Sequence, residues 1–272
     1  MTDTPQLIDR TALALHRGRA DPDALFLHHS ARDEVQDRLS FVKKSFSDVA
    51  IVTAFPAIWA DAFPNATIVP DDDVLALDPG GFDLVIHAMA LHWANDPVGQ
   101  LIQCRRALRP DGLSLTICLG GQTLSELRIT LSEAEIAETG GLSPRILPMP
   151  EIRDLGALLQ RAGFALPVAD SMVMTAEYRD LLHLMHDLRR MGETNALTAR
   201  LRKPVRRAVF ARAAVLYTDH FATKAGHLPA SFEMISLTGW APSDTQPKPL
   251  RPGSAQARLA DALGAKETKL PD

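Results

Sequence analysis

The stretch Phe82-Asp83-Leu84-Val85-Ile86, followed by Asp96-Pro97 and then by Arg109-Pro110-Asp111-Gly112, decides the fold of this chain. The first run is apolar and rich in aliphatic residues, as expected of a buried parallel strand. Asp96 suits the N-cap of a helix and Pro97 its first position. The turn at 109–112 ends that helix, and an apolar run at 113–119 predicts a further strand. Strand, helix, turn and strand together predict a right-handed crossover.

Further elements flank this crossover on both sides. On the N-terminal side we expect helices within 7–42 that pack on a sheet edge, a strand at 49–52, a helix at 56–63 and a strand at 67–69. On the C-terminal side we expect a helix at 124–138, a Gly/Pro-rich loop at 140–150, a helix at 155–162, a strand at 164–175, helices within 177–221 and a strand at 232–240. The fold class is therefore α/β with a Rossmann-like sheet.

The predicted domains are N-terminal helices (1–43), a main domain (44–241) with a helical insertion (177–223), and a mobile tail (242–272) rich in Pro, Ser and Lys. The helix at 124–138 and the loop at 140–150 follow the carboxyl end of a strand, which is the edge where open α/β sheets bind ligands. These two segments are therefore candidates for a lid.

Composition excludes several classes of protein. The 272 residues are 46% hydrophobic, enough for a buried core, and the net charge of −4 offers no overall attraction to nucleic acid or anionic membranes. Cys104 and Cys118 have no metal-ligand spacing, which favours a reducing cytoplasm. No signal peptide and no transmembrane segment of about 18 apolar residues is predicted.

Two sets of motifs resemble known families. The run from Phe82 through Leu91-His92-Trp93-Ala94-Asn95-Asp96 to Gly112 resembles class I S-adenosylmethionine-dependent methyltransferases of the type-11 group. A closer likeness extends over nearly the whole chain, through the motifs at 120–128, 140–144, 154–156, 161–164, 191–195, 228–232 and 239–240. These motifs are similar to the methyltransferase-like assembly factor of respiratory complex I, a family credited with hydroxylating an arginine on a complex I subunit.

The glycine-rich turn that holds the cofactor in that family is missing. Glycine there allows the backbone to approach the ligand closely and to turn sharply into the next helix. The corresponding stretch here is Asp48-Val49-Ala50-Ile51-Val52-Thr53-Ala54-Phe55-Pro56, and no glycine occurs from Arg19 to Pro79. Side chains at Val52, Thr53 and Phe55 are expected to occupy the volume that the ligand needs.

The chain is also short at this point. Val52 and Phe82 are 30 positions apart in the sequence. One strand–helix–strand crossover takes about 30 residues, so only one fits here, whereas the complete sheet of the family has two crossovers in this part of the chain. We therefore expect the sheet to lack one strand. Residues 68–75 resemble the third strand of the family, in which an acidic residue faces the adenine of the cofactor. The missing strand is therefore expected to be the second. In the family, that strand supplies the acidic side chain that binds the ribose hydroxyls.

An alternative keeps a cofactor site open. Asp71 lies 17 residues beyond Ala54, close to the separation of about 20 residues that is typical of a ribose-binding acid. The candidate cofactor residues are then Asp71, Asp72, His87, Ala88, His92 and Trp93. The acidic run at 71–73 is equally typical of a solvated turn, and because it lacks the ligand spacing of a calcium loop we predict no metal site.

Candidate residues for chemistry and recognition follow two of the strands. His92 is a candidate acid or base and Trp93 a candidate platform, although both could simply pack the turn after the strand. Candidates for contact with a partner or substrate arginine are Gly120, Gly121, Glu126 and Arg128. A surface pair between Glu126 and Arg128 is the alternative.

The function hypotheses differ in whether the cofactor is bound. The first is a degenerate methyltransferase-like protein that needs no cofactor and acts through a protein partner, either a complex I subunit or an assembly factor. The second is an active S-adenosylmethionine-dependent methyltransferase or a protein-arginine-modifying enzyme. A basic cluster at 200–212 raises nucleic-acid binding as a third, but it lacks interleaved aromatic residues, so an exposed face or an acidic partner is favoured.

Overall fold

The computed structural model describes residues 6–247 and contains a mixed sheet with helices on both faces. The described strands are β1 (Val49–Val52), β2 (Thr67–Val69), β3 (Phe82–Ala88), β4 (Leu108–Leu119), β5 (Ala165–Tyr178) and β6 (Leu228–Trp240). The described helices are α1 (Arg10–Arg17), α2 (Phe26–Phe41), α3 (Pro56–Ala60), α4 (Pro97–Ala107), α5 (Ser125–Thr139), α6 (Ile152–Arg161), α7 (Leu181–Arg190) and α8 (Arg207–Phe221). Short 3₁₀ turns cover Pro22–Ala24 and Leu91–Trp93.

The six described strands form one sheet in the order β2-β1-β3-β4-β6-β5. The first four strands pair in parallel, and β6 runs antiparallel between β4 and β5. The β3–α4–β4 crossover forms, but β4 begins at Leu108, so the turn predicted at 109–112 is wrong and these residues belong to the strand. The Asp96 carboxylate caps α4 by accepting a hydrogen bond from the Gly99 amide at 2.8 Å. The Rossmann-like fold class is therefore confirmed.

Two apolar clusters cover the two faces of the sheet. One face packs against α2, α3, α5, α7 and α8 and includes the fully buried Trp59, Phe232 and Tyr217. The opposite face packs against α4 and α6. The helices thereby exclude water from both faces of the central strands β1, β3 and β4, as parallel strands require, and leave the carboxyl ends of these strands as the place for a site.

The structure corrects the expected position of the N-terminal helices. They were expected at an edge of the sheet, but α2 contacts the central strands β3 and β4. The reason is the run of Leu27, Ala31 and Val35, which are all buried on one side of α2 and need an apolar face to cover. The preceding helix α1 lies beside Trp93, in a third apolar cluster.

Some boundaries also differ from the sequence-based expectation. β5 extends to Tyr178, and the residues between α7 and α8 are not helical. The contacts divide the chain into one unit of residues 1–242 and a second of residues 243–272. Only residues 243–247 of the second unit are described, so the predicted mobile tail lies for the most part outside the described residues.

Candidate functional site

Asp71 is held in a buried ion pair with two arginines of α1. Its carboxylate accepts hydrogen bonds from Arg17 Nη1 at 2.9 Å on both oxygens, and from Arg10 Nη1 at 3.2 Å. The Asp71 side chain is 6% exposed and that of Arg17 is 9% exposed. Burial alone would raise the pKa of Asp71, but the two guanidinium groups outweigh it and hold the pKa below its ordinary value. The neighbouring Asp72 is exposed, and its carboxylate lies 3.9 Å from Arg10.

The turn after β1 is filled by its own side chains. Val52 and Thr53 are buried, and Thr53 Oγ1 accepts a hydrogen bond from the Phe55 amide at 3.2 Å. The Phe55 ring packs edge-on against the His28 ring of α2, with the ring centroids 4.6 Å apart. The side chains of Val52 and Thr53 are thus buried at this turn and that of Phe55 is partly buried, while their occupation of the volume that a ligand needs stays a prediction.

His87 lies at the carboxyl end of β3, wholly buried, and bonds to α4. Its Nε2 lies 2.8 Å from Gln100 Oε1, and the Gln100 amide nitrogen donates to the backbone carbonyl of Asp72 at 3.0 Å. Burial lowers the pKa of His87. This chain of bonds fixes the acidic turn to α4, while the next residue, Ala88, is buried on the opposite face of the sheet.

His92 and Trp93 share a carboxylate, Glu193, which follows α7. Trp93 Nε1 donates to Glu193 Oε2 at 2.9 Å, and His92 Nε2 lies 3.9 Å from the same oxygen. The Leu119 amide donates to His92 Nδ1 at 3.3 Å, so the proton of the neutral ring sits on Nε2, facing Glu193. Burial would raise the pKa of Glu193, but His92 and the charge of Arg17 outweigh it and the pKa lies below its ordinary value.

A cavity of about 220 Å³ opens next to Trp93 and Glu193. Its walls are apolar side chains of α5, α7 and the loop at 146–149, together with Leu27, Leu119, Phe210 and Phe232. Arg145, Arg189 and Asn195 are among its polar lining residues. The cavity therefore combines an apolar wall with one buried carboxylate, and the helix and loop expected to act as a lid contribute to that wall.

His28 is buried without a hydrogen-bond partner for either ring nitrogen among the described residues. Its pKa is lowered to about 4, chiefly by burial; the carboxylate of Glu193 acts to raise it and the charge of Arg17 to lower it. Arg17 Nε and His92 Nε2 also lack partners within the described part of the chain. The groups between α1, α2 and the end of β3 thus form a buried polar cluster (Arg17, His28, His92 and Glu193).

The four candidate partner residues near the start of α5 make internal contacts. Glu126 accepts from the Ser231 hydroxyl at 2.5 Å instead of pairing with Arg128, so the alternative of a surface pair is wrong. Arg128 Nη2 donates to the carbonyl of Gly121 at 2.5 Å. A Cβ at Gly120 would lie 2.4 Å from Ile235 Cδ1, so the absence of a side chain there serves close packing. Contact of these residues with a partner stays a prediction.

Four of the six basic residues at 200–212 are engaged within the chain. Arg200 and Arg202 pair with Asp9, Arg212 pairs with Glu138, and Arg206 donates to the carbonyl of Glu138 at 3.4 Å. Within residues 6–247, no group of His, Cys, Asp and Glu side chains is arranged to hold a metal ion. None of the helices described is both long enough and apolar enough to cross a bilayer.

Sequence reasoning missed the partners that complete this site. Glu193 is 100 residues from Trp93, and Arg10 and Arg17 are 61 and 54 residues from Asp71. The sequence predicted that His28 lies in a helix but gave no sign that it belongs to this site. The one available signal was that Glu193 falls within the motif at 191–195, whereas no local pattern marked Arg10, Arg17 or His28.

The chain is similar to several known proteins. The model of the methyltransferase domain family, Methyltransf_11, matches residues 39–116. RP459 of Rickettsia prowazekii, whose name calls it a methyltransferase, is 31% identical over 161 residues, which cover 59% of this chain and 71% of that protein. The structure of BH2331 from Bacillus halodurans covers 78% of this chain and 99% of its own, with 14% identity and a TM-score of 0.49.

The chain therefore belongs to the methyltransferase domain family with the class I fold. Within the family it is similar to the arginine-hydroxylase NDUFAF5 of Danio rerio, with 36% identity over 198 residues that cover 73% of this chain and 61% of that protein. The chain spans about three fifths of the length of the NDUFAF5 proteins it matches. The resemblance to both groups that the motifs indicated is confirmed.

Proposed function

We propose that this chain is a methyltransferase-fold protein that does not bind S-adenosylmethionine and that acts through a protein partner in the assembly of respiratory complex I. The observation that carries the proposal is the filled carboxyl edge of β1. Thr53 and Phe55 stand where a ligand would need open backbone, and Phe55 is packed against His28. A bound methionine moiety would have to displace both side chains.

The state of Asp71 supports the same proposal. A carboxylate that binds ribose or adenine needs accessible lone pairs, but Asp71 is buried and its carboxylate already accepts three hydrogen bonds, from Arg17 on both oxygens and from Arg10 on Oδ2, which fill most of its roughly four acceptor sites. The residues present therefore do not fit the cofactor that the fold family implies.

We also propose a reducing, cytoplasmic location for the protein. The two cysteines, which are buried and form no disulfide, support this proposal.

The partner part of the proposal rests on the similarity to NDUFAF5 proteins and on the motifs shared with the complex I assembly family.

A second candidate function, an arginine-modifying enzyme, is favoured by the cavity beside Glu193. Its buried carboxylate, with Trp93 on one oxygen, is a suitable acceptor for a guanidinium group, and an arginine-modifying enzyme would need one.

Complementation with Glu193→Gln separates the two candidates. A host strain that lacks this gene should lose NADH oxidation by complex I in its membranes, and the wild-type chain should restore it. We expect Glu193→Gln to restore it as well, because a partner-binding role does not need the charge. The exposed Glu133→Gln is the matched control.

Two outcomes would count against the first candidate. If deletion leaves complex I activity unchanged, the assembly role is wrong. If Glu193→Gln fails to restore activity while it accumulates like the control, the charge is needed and the arginine-modifying candidate replaces the first.

A further inference from the structure

β5 is the outer strand of the sheet, and its second edge has no strand partner among the described residues. The strand has 14 residues, and its pairing with β6 shifts register only between Ala165 and Val168. From Val168 to Tyr178 the ladder is regular. Within residues 6–247, β5 therefore presents a long row of backbone donors and acceptors that no other strand pairs with.

This edge lacks the usual protection. Monomeric proteins blunt such edges with lysines, prolines, bulges or short strands. β5 contains no lysine or arginine, and its single proline, Pro167, lies in the irregular end. Val168, Met172 and Val173 are 55%, 42% and 54% exposed. An exposed apolar edge of this length is expected to be covered by another strand.

The two acids of β5 need not face each other when the strand pairs with a copy of itself. The Asp170 carboxylate pairs with Arg38 of α2, and Glu177 is exposed, with its carboxylate 3.2 Å from the His227 ring. In an antiparallel pairing of two copies, Asp170 can lie opposite Ala176 and Glu177 opposite Ala169. A second copy of β5 is therefore a partner that brings no like charges together.

We propose that β5 pairs antiparallel with β5 of a second copy of this chain, which joins two sheets into one. A two-fold axis through Val173 makes the contact self-complementary, as in most homodimers. Val173 then faces its own copy, Ser171 faces Thr175, and Asp170 faces Ala176. Val–Val and Ser–Thr pairs are favourable across strands, and no like charges meet in this register.

Cysteine cross-linking tests both the dimer and its register. In Val173→Cys the two thiols lie opposite each other, at a cross-strand Cα separation of about 4.5 to 5.5 Å that permits a disulfide. Val168→Cys is the matched control, because Val168 faces Tyr178 of the other copy. The native Cys104 and Cys118 are buried and should not react.

We expect Val173→Cys to form a disulfide-linked dimer on mild oxidation and Val168→Cys to remain unlinked. Light scattering on the wild-type chain should give twice the mass of one chain. Val173→Lys should raise the dissociation constant of the dimer at least about tenfold, because the two lysines would repel each other. Val215→Lys, at an exposed position of α8, is the control and should leave the dissociation constant unchanged. A monomeric wild-type chain, equal cross-linking of both cysteine variants or a dimer insensitive to Val173→Lys would overturn the proposal.

Discussion

Replacement of Asp71 by alanine is expected to lower the free energy of unfolding by about 3 to 5 kcal/mol, because it leaves Arg17 buried without its anion. Arg10 also loses a hydrogen bond, but it is more exposed and can reach water. Denaturant unfolding followed by circular dichroism measures the loss. If Asp71 instead served a cofactor, its replacement would change stability little.

The exposed Asp72→Ala is the matched control and should change the free energy of unfolding by less than about 0.5 kcal/mol. A double variant with Arg17→Met and Asp71→Ala should recover part of the loss, since it removes the uncompensated buried charge. Equal effects of Asp71→Ala and Asp72→Ala would contradict the structural role of this ion pair.

His28→Leu is expected to remove a large part of the acid sensitivity of the fold. The folded-state pKa of His28 is lowered to about 4 from 6.5 by burial, so the unfolded chain binds a proton that the folded chain refuses. The wild-type protein thus loses about 3 kcal/mol of stability from His28 as the pH falls from 6.5 to 4. Above pH 6.5 this contribution vanishes because both states are neutral there.

The leucine variant should therefore be more stable than the wild type at acid pH and at least as stable at neutral pH, where it no longer buries two unpartnered nitrogens. Some acid sensitivity should remain, because burial also lowers the pKa of His16 and His87. The exposed His220→Leu serves as control. Parallel pH profiles of wild type and His28→Leu would show that His28 is not buried as described.

The crossover from β3 to β4 could be predicted because its signals are local. The Asp96-Pro97 start of α4 and the apolar run at 113–119 each depend on neighbours within a few positions. The filled turn after β1 was also predictable, since the absence of glycine is a property of the sequence itself. The side of the sheet on which α2 packs was not, because periodicity gives a face but not the surface it covers.

The candidate site could be predicted only in part. His92 and Trp93 follow a strand at the ligand edge, and that position alone made them candidates. Their carboxylate comes from the segment after α7, and the guanidinium groups on Asp71 come from α1. Pairings between such distant segments depend on how helices pack, which no spacing in the sequence encodes. Sequence alone therefore left Asp71 open as a cofactor acid.

The central claim is that the carboxyl edge of β1 is closed to S-adenosylmethionine. Calorimetric titration of the 272-residue chain with S-adenosylmethionine, and separately with S-adenosylhomocysteine, tests it most directly. A methyltransferase with an intact glycine-rich turn, titrated in the same buffer, provides the positive control. We predict no saturable heat for wild type or for Asp71→Ala, and saturable micromolar binding by the wild-type chain would contradict the account.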